Sequence, residues 1–196
     1  MGVLKQQKKW TKQDIYFMQQ ALKCAEKAQE KDEVPIGAVI VKGNKIVSKG
    51  YNKSITLKDT TAHAEIVAVR KACKKLNNYR LNDCSVYVTI EPCSMCMGAL
   101  ILARIKNLYF GAKDIKAGAC GSVLDISKLK LNHKINVYSG LLEQDCATII
   151  KKFFKNKRTR GWVGFDGNER CKESKSELVD GSVTNRPKKK RQTNRS

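Results

Sequence analysis

His63, Glu65, Cys93 and Cys96 are the side chains whose types and spacing could do chemistry. They come as His63-Ala64-Glu65 and as Pro92-Cys93-Ser94-Met95-Cys96. Two thiolates three residues apart at a helix start point the same way, and an imidazole at a second helix start can supply another corner of a tetrahedron. Three protein ligands with the last corner left to water is the arrangement of a catalytic zinc. A structural ion would want a fourth ligand at motif spacing, and this sequence offers none. Glu65 lies two positions past His63, on a different helix face, so the pair does not share an ion. From the first helical turn it can reach the metal-bound water, take its proton and pass it to a substrate. The positive ends of the two helices favour the thiolates. Taken alone, Cys93-x-x-Cys96 also fits a structural half-site or a redox pair.

These residues need elements to hold them. Thr11 with Asp14 is a capping box opening a first helix, with Ile15, Met18, Leu22 and Ala25 on one apolar face and an end near Lys31. Gly37 to Val41 is a buried-strand run, Gly43-Asn44 a tight turn, and Lys45 to Gly50 a second strand. Residues 52–61 read as a loop. Ala62 to Leu76 is helical, with Ile66, Val69, Cys73 and Leu76 facing one way. Strands follow at Ser85–Ile90, Asn107–Gly111 and Ile135–Ser139, and helices at Cys93–Arg104 and Leu142–Arg158, the last apolar at Leu142, Cys146, Ile149, Ile150 and Phe153. Alternating strands and helices after an opening hairpin predict an α/β protein, a three-layer α/β/α domain whose third and fourth strands are joined by a parallel crossover. Both chemical pieces then fall where a strand or loop runs into a helix.

Composition limits the partners. The chain of 196 residues carries 39 Lys+Arg against 18 Asp+Glu, a net charge of +21. That surplus disfavours most metabolic enzymes of small substrates and favours a polyanion, nucleic acid before a membrane surface. No apolar run approaches the ~20 residues of a membrane-spanning helix. Met1 to Trp10 has no apolar signal core, which argues against export. The eight cysteines of a mid-sized, unexported chain read as reduced thiols, with Cys24, Cys73 and Cys146 as small buried hydrophobes. The organisation read from this is a basic N-terminal segment (1–10), one domain (11–158) and a basic, disordered tail (159–196). Residues 151–196 hold 15 basic and 5 acidic side chains. Within them Pro187 to Arg191 is similar to a nuclear-import signal, but a solvated run that speeds encounter with RNA is the reading preferred.

The pairing of His-x-Glu with Pro-Cys-x-x-Cys is the signature of zinc nucleobase deaminases. Its neighbours narrow the match. Glu33-Val34-Pro35-Ile36-Gly37-Ala38-Val39, Thr61-Ala62-His63-Ala64-Glu65-Ile66, Asn78-Tyr79-Arg80-Leu81, Tyr87 through Ala99, Phe110 through Asp114 and Gly121-Ser122 follow in an order and spacing that resemble the bacterial tRNA adenosine deaminases over about residues 10–158. The resemblance implies a cytidine-deaminase-like fold with a central five-stranded mixed sheet. It implies hydrolysis of adenosine to inosine at the wobble position of tRNA anticodons, favouring an arginine tRNA, with one zinc per subunit of a cytoplasmic homodimer. In that scheme His63, Cys93 and Cys96 hold the zinc, water attacks C6 of adenine, and Glu65 protonates N1 and then the leaving ammonia. Asn52 would donate to the adenine ring, and Glu33, Val34, Pro35 and Ala64 would line the nucleotide pocket. Asp114, Phe154, Lys157 and Arg158 would meet the anticodon stem-loop, whose unpaired base costs little to extrude. No membrane and no nucleotide cofactor enters this scheme. Two other readings stand beside it: a deaminase of free cytidine, dCMP or guanine, whose small substrate would not call for +21, and a zinc-stabilised RNA-binding module, which would have no use for Glu65.

Overall fold

The computed structural model describes residues 10–159, so the expected N-terminal segment (1–10, apart from Trp10) and the expected tail (159–196, apart from Thr159), with Cys171 and Pro187–Arg191, lie outside the described residues. The chain forms α1 (Lys12–Gln29), β1 (Gly37–Lys42), β2 (Lys45–Tyr51), a short α2 (Ser54–Leu57), α3 (Ala64–Leu76), β3 (Cys84–Ile90), α4 (Ser94–Leu102), β4 (Asn107–Ala112), β5 (Asn136–Ser139) and α5 (Glu143–Thr159). The strands make one five-stranded sheet in the order β2-β1-β3-β4-β5. β1 runs antiparallel to β2 and β3, while β3, β4 and β5 are parallel. The sheet is therefore mixed, and α4 is the crossover between its parallel central strands, as the alternation of patterns predicts.

Each face of the sheet carries its own core. On one side Ala38, Ile40, Val86, Val88, Leu108 and Phe110 pack with Ala64, Ala68 and Ala72 of α3 and Met97, Leu100 and Ile101 of α4. On the other, Val39, Val41, Tyr87 and Tyr109 pack with Phe17, Met18, Ala21 and Cys24 of α1 and Cys146 of α5. Alternation along β1 and β3 divides the two sets, since successive side chains of a strand face opposite ways. This is the three-layer α/β/α architecture.

Several local expectations need correction. α1 does open on the Thr11–Asp14 capping box, with Asp14 N–H donating to Thr11 Oγ1 at 3.0 Å and Thr11 N–H to Asp14 Oδ2 at 3.0 Å. It ends at Gln29 rather than Lys31. Its buried face is Phe17, Met18, Ala21, Cys24, Ala25 and Ala28, with Ile15 and Leu22 at the margin. α3 likewise buries Ala64, Ala68 and Ala72 most deeply, leaving Val69, Cys73 and Leu76 half-buried. The reason is close approach. A Cβ on Gly37 would sit 2.0 Å from the Ala21 carbonyl oxygen, and one on Gly50 would sit 2.3 Å from that of Ala64. Helix backbones lie directly on strand glycines, and only small residues fit the seam. Gly37→Ala or Gly50→Ala is expected to destabilise the fold by at least ~1–3 kcal/mol, the usual cost of overpacking, read as a lower urea midpoint.

Cys24 and Cys146 are buried as expected, but Cys73 is half-buried and its thiol donates to the Tyr79 carbonyl at 3.7 Å. All described cysteines are free thiols. The loop expected at 52–61 contains the α2 turn, β5 starts at Asn136 and α5 at Glu143. In α5 only Cys146 and Phe153 are buried, with Ile149 and Ile150 half-buried, and the half-buried Leu142 precedes the helix. Among the described residues no helix is long and apolar enough to cross a membrane.

Candidate active site

The site forms beyond the carboxyl ends of β3 and β4, the usual place for ligands in an open α/β sheet. β3 ends at Ile90, and Glu91-Pro92 lead into Cys93, the N-cap of α4. His63 is the N-cap of α3. Both helices thus begin one or two residues later than their apolar patterns indicate, because His63 and Cys93 have extended backbones (ψ 156° and 174°). An N-cap side chain ordinarily bonds back to its own helix. Neither His63 nor Cys93 does so, and both side chains instead turn towards one point. His63 Nδ1 lies 3.6 Å from Cys93 Sγ and 3.5 Å from Cys96 Sγ. The ligand atoms of these three side chains all fall within 4.8 Å of one another, a group that could hold a metal ion.

The capping task at α3 passes to Asn52, just past the end of β2. Its Oδ1 accepts from the Ala64 N–H at 2.9 Å, and the side chain is buried. This bond fixes the amide plane. Asn52→Ala is expected to cost ~0.5–2 kcal/mol, as for loss of an N-cap. A thermal or urea melt reads this.

The donors share protons. Hydrogen bonds from Cys96 and His63 pull the Cys93 thiol down to about 4. The Cys96 thiol moves the opposite way, raised by its bond to Cys93 and by burial. The Cys93 sulfur also raises His63, against the effect of burial. A metal ion at this group would compete with those protons, since it binds thiolate and neutral imidazole. Glu65, in the first turn of α3, is 3% exposed. Burial pushes its carboxyl above the usual carboxylate range, while the His63 charge and a hydrogen bond with Cys96 pull it down. It is the acid that the trio brings alongside.

The other expected residues gather at the same end of the sheet. Pro35 is buried and Val34 half-buried, and the Ile36 carbonyl accepts from the Asn52 N–H at 3.1 Å. Glu33 is buried, but its carboxylate is committed: it accepts from Ile55 N–H at 3.2 Å and Thr56 N–H at 2.7 Å, which builds α2. Asp114 is half-buried, and its Oδ1 caps its own turn, accepting from Lys116 and Ala117 N–H at 2.9 and 3.2 Å. In α5, Phe154 is exposed, edge-on to the buried Phe153, and Arg158 is exposed. Lys157 pairs with Asp32, which draws the end of α5 to the α1–β1 turn beside Glu33. The sequence reading missed Glu91. Its only signal was an acid between the buried β3 run and Pro92.

Residues 12–158 match the family model of MafB19-like deaminases. A tRNA-specific adenosine deaminase of Bacillus subtilis is 41% identical over 149 residues, covering 76% of this chain and 92% of its own. One of Agrobacterium fabrum is 46% identical over 144 residues, covering 73% and 95%. The chain belongs to the tRNA-specific adenosine deaminase family. Among solved structures, this deaminase is similar at 47% identity and a TM-score of 0.66 to a chain from a study of A-to-I editing by tRNA:A34 deaminases at the wobble position of transfer RNA. That match covers 68% of the deaminase and 98% of the other chain. The likeness to guanine deaminase from Nitrosomonas europaea, at 23% identity and a TM-score of 0.61, with 71% and 83% covered, shows the fold alone.

Proposed function

We propose that this deaminase hydrolyses adenosine to inosine at the wobble position of a tRNA anticodon, an arginine tRNA first, with one zinc per subunit of a cytoplasmic homodimer. The observation that carries the reading is the spacing of the three donors. Bonds of ~2.0–2.1 Å to nitrogen and ~2.3 Å to sulfur, at the tetrahedral angle, set nitrogen and sulfur about 3.6 Å apart. His63 Nδ1 stands 3.6 and 3.5 Å from the two sulfurs. Among the described residues the group comprises these side chains alone, which favours a catalytic over a structural ion. His63, Cys93 and Cys96 would hold the zinc, which when bound makes water a nucleophile near neutral pH.

The chain's own residues do the rest. Asn52, with its carbonyl oxygen tied to Ala64, offers its amide hydrogens to the ring of the flipped base. Val34, Pro35 and Ala64 line the nucleotide pocket, and Glu33 supports it by holding α2. Glu65 takes a proton from the attacking water and delivers it to N1 of adenine as oxygen bonds to C6. It then carries a proton to the amino group as the C6–N bond breaks. One water is consumed and one ammonia released. Burial raises the Glu65 carboxyl above the usual carboxylate range, in the direction that suits a group that must hold a proton as well as release it. Asp114, Phe154, Lys157 and Arg158 meet the anticodon arm, and the surplus of basic side chains over residues 151–196 adds charge for RNA encounter.

The test is inosine formation in an anticodon stem-loop with a wobble adenosine, beside free cytidine, dCMP and guanine. Turnover of the stem-loop alone is expected. Turnover of a free base or nucleoside in its place overturns the substrate assignment.

A further inference from the structure

Glu91 is a buried carboxylate that the chemistry above does not use; it is 1% exposed. Its two oxygens collect their donors from one segment. Oε1 accepts from Cys120 N–H at 2.8 Å and Ser122 N–H at 3.1 Å. Oε2 accepts from Asp114 N–H at 3.2 Å and from the Ser122 hydroxyl. A charge taken out of water needs such partners, so the carboxylate and this loop hold each other in place.

The same loop is stitched to the metal-binding turn. Ala119 N–H donates to the Pro92 carbonyl at 2.9 Å, and Gly118 pairs with Cys93 in an isolated antiparallel bridge. Gly118 permits the approach, since a Cβ there would lie 2.5 Å from both the Asp114 carbonyl oxygen and the Glu91 carboxyl carbon. Glu91, the 114–122 loop and Pro92–Cys93 therefore form a closed circuit. Cys93 makes no side-chain cap to its own helix, so its backbone direction is set by the strand before it and by this bridge.

We propose that Glu91 is a positioning residue of the metal centre: its carboxylate clamps the 114–122 loop onto Pro92–Cys93 and so fixes where the Cys93 sulfur points. Groups that orient a ligand from outside typically change metal affinity by ~10–100-fold when lost. The inference rests on the proposed metal site but not on any substrate.

Full-length, zinc-loaded Glu91→Gln tests it. The amide keeps the size but sets an NH2 group against N–H donors. Zinc loss to excess chelator is expected to accelerate about tenfold. Hydrogen exchange at the Ala119, Cys120 and Ser122 amides should also quicken, with the centre of β1 unchanged. Ser122→Ala, which removes one donor, should shift both readouts less. Ile105→Val trims the core near the far end of β4 and should lower thermal stability without changing zinc loss, which separates positioning from general weakening. If Glu91→Gln does not fold, Ser122→Ala and Gly118→Ala decide, the latter by forcing the loop off its seat. Wild-type zinc loss and loop exchange in folded Glu91→Gln, or in both substitutes, overturns the proposal. A wild type that binds zinc but leaves RNA unchanged counts against the deamination reading and not against this one.

Discussion

Glu65→Gln is expected to slow inosine formation by orders of magnitude and to leave the metal centre in place. The carboxylate is buried, with the His63 charge and a hydrogen bond with Cys96 acting on it, and in the proposed mechanism it carries the proton between water and the base. General acid–base catalysis contributes ~10²–10⁴-fold, so single-turnover inosine formation should fall by about that factor. The isosteric amide keeps the packing of α3. Burial disfavours the charged form of Glu65, so the fold should lose little stability, the common trade between stability and activity at catalytic sites. Zinc content and stem-loop affinity should stay at wild-type values. Turnover within a few-fold of wild type would remove Glu65 from the proton path.

Cys96→Ala has the other large effect, in the opposite place. Cys96 is fully buried and its sulfur is shared between His63, Cys93 and Glu65. Its loss should abolish stoichiometric zinc binding, as should that of Cys93. A ligand that binds only the folded state stabilises it by ~4 kcal/mol at a thousandfold excess over Kd. The variant should therefore lose several degrees in Tm relative to the zinc-loaded wild type. The gap should narrow when the wild type is first stripped with chelator, because the metal's contribution is then gone from both. A Cys93→Ala/Cys96→Ala chain that still binds one zinc and melts like wild type would contradict the ligand assignment.

What was legible in the sequence follows from how local its causes are. The capping box at Thr11–Asp14, the apolar runs of β1 and β3, and the pairing of His63 and Glu65 with Cys93 and Cys96 are each written within a few residues, and the sheet and the donor cluster form as read. The faces of α1 and α3 were less legible because large apolar residues dominate a periodicity, whereas contact is made by Ala21, Ala64 and Ala68 against Gly37 and Gly50. α2 was hidden because the carboxylate that builds it, Glu33, lies 22 residues before Ile55. Glu91 was hidden for the same reason: its donors at Cys120 and Ser122 lie 29 and 31 residues away. The pairing of Lys157 with Asp32 was hidden too, because the two lie 125 residues apart.

The metal centre can be measured most directly by zinc-edge X-ray absorption on the purified chain, with total zinc by mass spectrometry. The account predicts one zinc per chain, with two sulfur neighbours at about 2.3 Å and two lighter donors at about 2.0–2.1 Å. Three or four sulfurs about the ion, or a chain that converts wobble adenosine to inosine with no zinc bound, would contradict it.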